Sequence, residues 1–149
     1  MNKIDTINSI EKVINFHQKR MQLVEILLSG KTINEVISTS KIESDFGAWL
    51  YTPENNLHDT LGAQFYDMLD KSNADWHDKY DNIHDIFFVN KRKGILSRLF
   101  KRKKIEHMKM EKAKLYYIEL QESSNTLLKA LASCQRRATA LNESMFIRR

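Results

Sequence analysis

Proline occurs once and glycine four times in 149 residues, and that scarcity removes most of the turns and bulges on which an all-β sandwich or barrel depends. Cysteine occurs once, as Cys134. No internal disulfide is available, and a reducing, cytoplasmic compartment is expected. No apolar run approaches the roughly 20 residues of a membrane span. The N-terminal stretch MNKIDTINSIEK lacks the continuous apolar core of a signal peptide, and Met1 is read as a native start. Signatures of catalysis are missing as well. There is no G-x-S-x-G, no Walker A loop, no H-E-x-x-H and no Glu-x-x-His repeat of a di-iron bundle, so an enzyme is not expected.

What is present is helical. Hydrophobic residues make up 42% of the chain, enough for a core, and the length suits one domain spanning 1–149. A first helix is expected from Asp5 or Thr6 to Ser29, stopped by Gly30. Along it Ile7, Ile10, Ile14, His17, Met21, Val24 and Leu28 are spaced alternately three and four apart, a stripe facing one partner surface that Val13, Phe16, Leu23 and Leu27 widen. Ile33, Val36 and Ile37 allow a further turn or two of helix in 31–40. Ser40 is then a cap for a short helix ending near Leu50 or Tyr51, before Pro53. A third helical stretch is expected over 56–90, with Leu61, Phe65, Leu69, Trp76, Tyr80, Ile83 and Phe87 at helical intervals and an irregularity at KSNAD (71–75). The last helix is expected from Ile105 to Leu141, about 50 Å long, with small residues at 113, 124, 134 and 138 that let another helix approach closely. Its overhang beyond the first helix points to a homodimer.

Charge is concentrated. The net formal charge is +5, yet residues 91–104 (KRKGILSRLFKRKK) hold eight basic residues and no acid. Taking those eight from +5 leaves −3 for the rest. Lys91, Arg92, Lys93, Arg98, Lys101, Arg102, Lys103 and Lys104 are read as a connector between the third and fourth long helices. A second reading makes them a contact surface, since Ile95, Leu96, Leu99 and Phe100 would form the apolar edge of a basic helix. An anionic membrane surface or an acidic partner suits such an edge; nucleic acid is a third reading.

The run Ser44-Asp45-Phe46-Gly47-Ala48-Trp49-Leu50 is the most specific element. Helix propensity gives no reason for Phe-Gly-x-Trp inside a short helix. The glycine suggests a close backbone approach, and Trp49 a large buried anchor. The order of a histidine in the first long helix, an F-G-x-W-L helix and Ile83-His84 later resembles the chemoreceptor zinc-binding (CZB) domain family. The resemblance covers roughly residues 5–90. It implies a four-helix bundle of the CZB type, with a short additional helix carrying F-G-x-W and a long C-terminal helix. It also implies a sensory or regulatory role in bacterial signalling, in chemotaxis or cyclic-di-GMP control, where zinc occupancy modulates output.

The family's four zinc positions map onto His17, Ser44, Tyr80 and His84, with His77 and Asp81 as an alternative register for the last two. Serine stands where the family has its cysteine, and tyrosine where it has a histidine. Serine and phenol are poor zinc ligands, so the expected site is a degenerate remnant pocket of His17, Ser44, Trp49, Tyr80 and His84. No cofactor is the first expectation. Zinc on His17 and His84, with His77 and Asp45 or Asp81, is the alternative. Without a metal, His17 is a core histidine bonded to Tyr80 or Ser44. Cys134 reads as a small core residue, with a redox role as the sharper alternative. Trp49 and Trp76 read as core, with a small-molecule pocket as theirs. The functional expectation is a non-enzymatic regulatory bundle acting through dimerisation or a protein partner. An adaptor docked through 91–104 is the alternative, and a nucleic-acid-associated regulator the second alternative.

Overall fold

Asn2 starts the first helix by accepting a hydrogen bond from the Asp5 amide at 2.8 Å, which satisfies one of the free donors of the first turn. The computed structural model describes residues 1–89 and 95–146 and, within these, the side chains of 1–88 and 107–146. The elements are α1 (Lys3–Leu28), α2 (Asp45–Tyr51), a 3₁₀ turn (Pro53–Asn55), α3 (Leu57–Leu61), α4 (Ala63–His84), a π-helical turn (Asp85–Val89), α5 (Ile95–Ala140) and a closing 3₁₀ turn (Glu143–Met145). Among the described residues there is no strand. Three helices are long, at 26, 22 and 46 residues, and α5 packs along both α4 and α1. No helix is long and apolar enough to cross a membrane, among the described residues.

The buried seam of α1 is Thr6, Ile10, Val13, His17, Arg20, Val24 and Leu27. Its spacing alternates four and three, as expected, but the line is rotated from the expected stripe. Ile10, His17 and Val24 are common to both, and Val13 and Leu27 come from the residues expected to widen the stripe. Ile7, Ile14, Met21 and Leu28 flank the core, and Arg20 takes an inner position. On α4, Leu69, Trp76, Tyr80 and Ile83 are fully buried. On α5, Ala113, Ser124, Cys134 and Ala138 are buried, so the small residues do lie at a helix contact.

Four expectations change. Residues 31–40 form no helix. Only Ile37 there is buried among the aliphatics, while Val36 is 95% exposed, and the β-branched residues of this run resist helix formation. Ser40 caps only a turn, accepting from the Ile42 and Glu43 amides; the cap of α2 is Ser44. KSNAD is regular helix within α4. Its Asn73 is buried and donates to the Lys41 carbonyl at 3.2 Å and the Tyr51 hydroxyl at 3.3 Å. The break comes earlier, at Gly62, whose φ of +96° suits glycine and ends α3 where α4 begins. Lastly, the backbone of 95–104 belongs to α5, so that part of the basic run is helix and not connector. Lys91, Arg92 and Lys93 lie outside the described residues, as do the side chains of Arg98, Lys101, Arg102, Lys103 and Lys104.

The Phe-Gly-x-Trp element has a steric explanation. A Cβ on Gly47 would stand 2.0 Å from the Lys41 carbonyl oxygen and 2.5 Å from that of Ile42. The 41–43 turn therefore lies directly on the first turn of α2. Ser44 accepts from the Gly47 amide at 3.0 Å. Trp49 is 7% exposed and donates its Nε1–H to Ser9 on α1 at 2.8 Å. Gly47→Ala should lower stability by about 2–3 kcal/mol, since backbone must move, and Ser44→Ala by about 1 kcal/mol. Urea midpoints at unchanged slope measure both; a wild-type midpoint for Gly47→Ala would overturn the close approach.

Candidate functional site

Two histidines, an arginine and a tyrosine of the core converge on one indole. Trp76 is fully buried on α4. The Arg20 guanidinium carbon lies 3.6 Å from its ring centre. Tyr80 stacks on it at 5.3 Å with 12° between planes. His17 and His77 meet it edge-on at 5.5 and 5.1 Å. Phe46 of the α2 element adds a further ring 5.9 Å from the same guanidinium. Helices α1, α2 and α4 each contribute.

His17 is held from both sides. Arg20 donates its Nε–H to His17 Nδ1 at 2.9 Å. Nδ1 is thus the acceptor, the ring proton sits on Nε2, and Nε2–H donates to Ser124 Oγ of α5 at 2.6 Å. The expected partners, Tyr80 and Ser44, are not the ones used. Burial above all, then the charge of Arg20 and the nearness of His77, push the His17 pKa down to about 2. His77 is lowered to about 4, chiefly by burial and then by Arg20. Both imidazoles are neutral at physiological pH.

Arg20 is the residue sequence reasoning missed. It is 2% exposed. Burial lowers its pKa to about 9, which leaves it a cation at pH 7. Among the described residues it makes no ion pair, and its Nη2 has no hydrogen-bond partner. A cation over an indole is worth about 2 kcal/mol when desolvated, while burying a guanidinium costs several kcal/mol. Trp76 Nε1 and the Tyr80 hydroxyl also lack partners. The His77 ring nitrogens make no well-formed hydrogen bond, with only a weak contact to the Thr39 backbone.

The other candidates fall differently. Ser44 lines a cleft of about 290 Å³ together with Arg20, but its oxygen serves as the α2 cap. His84 lies one ring farther out: it meets Tyr80 edge-on at 6.0 Å, and lies 3.6 Å from the Asp85 carboxylate and 5.0 Å from the Phe88 ring. On α4, His77 of the alternative register meets the same indole as His17, and Tyr80 links that indole to His84. Asp81 is half-buried with one oxygen lacking a partner, its pKa raised by burial and by Asp85. Asp45 is exposed. Among the described residues no three of His, Cys, Asp and Glu form a group that would hold a metal ion. Arg20 occupies the lone pair of His17 that a metal would need. The residues present do not fit zinc. Cys134 is fully buried and its thiol is pushed up to about 12 by burial, a state without thiolate reactivity at neutral pH. A second cleft, of about 440 Å³, lies between α1 and α5, where His17, Tyr117 and Ser124 contribute.

The two depressed histidines set a pH dependence. In the unfolded chain each protonates near its ordinary 6.5; folded, each stays neutral well below that. Stability is therefore complete above pH 6.5 and falls as pH drops, down to about 4 for His77 and about 2 for His17. The slope is on the order of 1 kcal/mol per pH unit for each histidine. Thermal melts from pH 7 to 5 should show it, and His17→Gln should lose about half of that slope. A flat profile would contradict the buried neutral pair.

Compared with family models, curated proteins and solved structures, the chain matches none.

Proposed function

We propose that the chain is a non-enzymatic regulatory bundle of the CZB type, in which a buried arginine stands where the family holds its metal. The observation that carries this reading is the position of Arg20. Its guanidinium is bonded to His17 Nδ1 and stacked on Trp76 between His17 and His77. The reading is supported by His17 on the first long helix and by Phe46 of the F-G-x-W helix, which both lie near the same guanidinium. A fixed organic cation would hold the helices together as a metal does, without exchanging with solvent.

The reading is tested by restoring the metal chemistry. Wild-type protein should purify without stoichiometric zinc and show no zinc-dependent change in Tm. The double variant Arg20→Ala/Ser44→Cys frees His17 Nδ1 and supplies a thiolate, and should gain a zinc-dependent rise in Tm. Zinc bound by the wild type, or indifference of the double variant, would count against the reading.

The output is proposed to pass through a second copy of the chain. Met108, Leu115 and Ile118 follow one another at seven and three residues along α5 and are 65%, 66% and 55% exposed. This apolar stripe lies on the longest helix, about 69 Å against about 39 Å for α1. Sedimentation equilibrium should give a dimer that Leu115→Glu dissociates; a monomeric wild type would exclude this route.

A further inference from the structure

The cleft beside Arg20 deepens the reading of this site as a regulatory input, and the inference rests on that reading. Its inner wall carries Arg20, 2% exposed, and Ser44, 4% exposed. Ser44 Oγ accepts from the Gly47 amide and keeps its own O–H to donate. Arg20 retains an Nη2 with no partner. Both groups offer hydrogen to a ligand, and neither supplies a negative charge.

The acids nearby do not neutralise Arg20. Glu35 pairs with Lys19 at 3.0 Å, and both are more than half exposed. Glu43 and Asp45 are exposed at the rim, where solvent screens them. Among the described side chains no carboxylate pairs with Arg20. A buried guanidinium without a counter-charge is costly, and a bound anion would offset that cost. The apolar part of the wall is Phe16, Leu23, Val36 and Ile37; Lys19, Ser38 and the three acids complete the lining. The volume, about 290 Å³, lies at the lower edge of small-molecule sites.

We infer that this cleft binds a short-chain organic carboxylate, its carboxylate against the Arg20 guanidinium and the Ser44 hydroxyl, its alkyl tail against Phe16, Leu23 and Ile37. With Nε engaged by His17, Nη2 is the donor left for one carboxylate oxygen, in a charge-assisted bond, and the Ser44 hydroxyl donates to the other. A bare oxyanion would satisfy the charge but leave the apolar wall wet.

The test uses the whole protein at fixed ionic strength, balanced with sodium chloride. Butyrate, acetate and inorganic phosphate are titrated in parallel, with Tm and tryptophan fluorescence as readouts. Butyrate at ten times its Kd should raise Tm by about 4 °C. Acetate should bind more weakly, and phosphate should match the chloride control. Arg20→Lys should weaken butyrate at least about tenfold, because an ammonium cannot bond His17 and reach the ligand with a second fixed nitrogen. Leu23→Trp, which fills the cleft and leaves Arg20 in place, should abolish the response; it keeps the test decisive if Arg20→Lys fails to fold. An unresponsive wild type, phosphate equal to butyrate, or a Leu23→Trp variant that still binds would each overturn the inference. A failure here with zinc regained by Arg20→Ala/Ser44→Cys removes only the carboxylate. The reverse pattern removes only the descent from a metal site.

Discussion

A guanidinium lying 3.6 Å from an indole centre, inside a helical core and without a carboxylate partner among the described residues, is the constraint around which this protein is arranged. Arg20 needs an electron-rich face, and Trp76 supplies it. It needs an acceptor, and His17 supplies one at the cost of fixing its own tautomer. That tautomer in turn requires an acceptor on α5, which Ser124 provides. Each demand is met by a different helix. The three long helices are therefore joined by a polar chain through a core whose other large members are apolar.

The smaller elements secure that arrangement. Ser44 caps α2 so that Phe46 enters the core, and Gly47 lets the 41–43 turn lie flat upon the helix. Asn73 ties the same turn to α4 by donating to the Lys41 carbonyl. Trp49 ties α2 to α1 through Ser9. Tyr51 donates to Asp70 at 2.5 Å, and Asn73 donates to the Tyr51 hydroxyl. The wall of the cleft beside Arg20 is thus pinned on both flanks, even though 31–40 has no helix of its own.

Much of this was legible in the sequence, and the failures have physical causes. The three/four spacing in α1 and α5, the close approach at Gly47 and the inward position of His17 follow from residue type and period. Residue type alone gives Arg20 no inner position, because a charged side chain is seldom buried. Its distance of seven from both Val13 and Leu27 was the available signal. His77 and His84 are also seven apart and look equivalent by period. They separate in the structure because His77 turns toward Trp76 while His84 sits at the helix end, where the backbone widens into a π-turn. KSNAD looks like a breaker by propensity, but buried hydrogen bonds of Asn73 override propensity. Residues 31–40 reverse the case: apolar residues at helical intervals, yet only Ile37 finds a buried place.

The single proton on His17 has a wider meaning than its pKa. With Arg20 donating to Nδ1, every hydrogen bond from the arginine to Ser124 points one way, from α1 outward to α5. Withdraw the arginine, and the proton is free to sit on Nδ1, with Nε2 becoming an acceptor and the Ser124 hydroxyl turning to donate. The direction of that short proton wire is a binary record of where the guanidinium lies. It is written on α5, the helix that reaches farthest from the core, without any helix having to move.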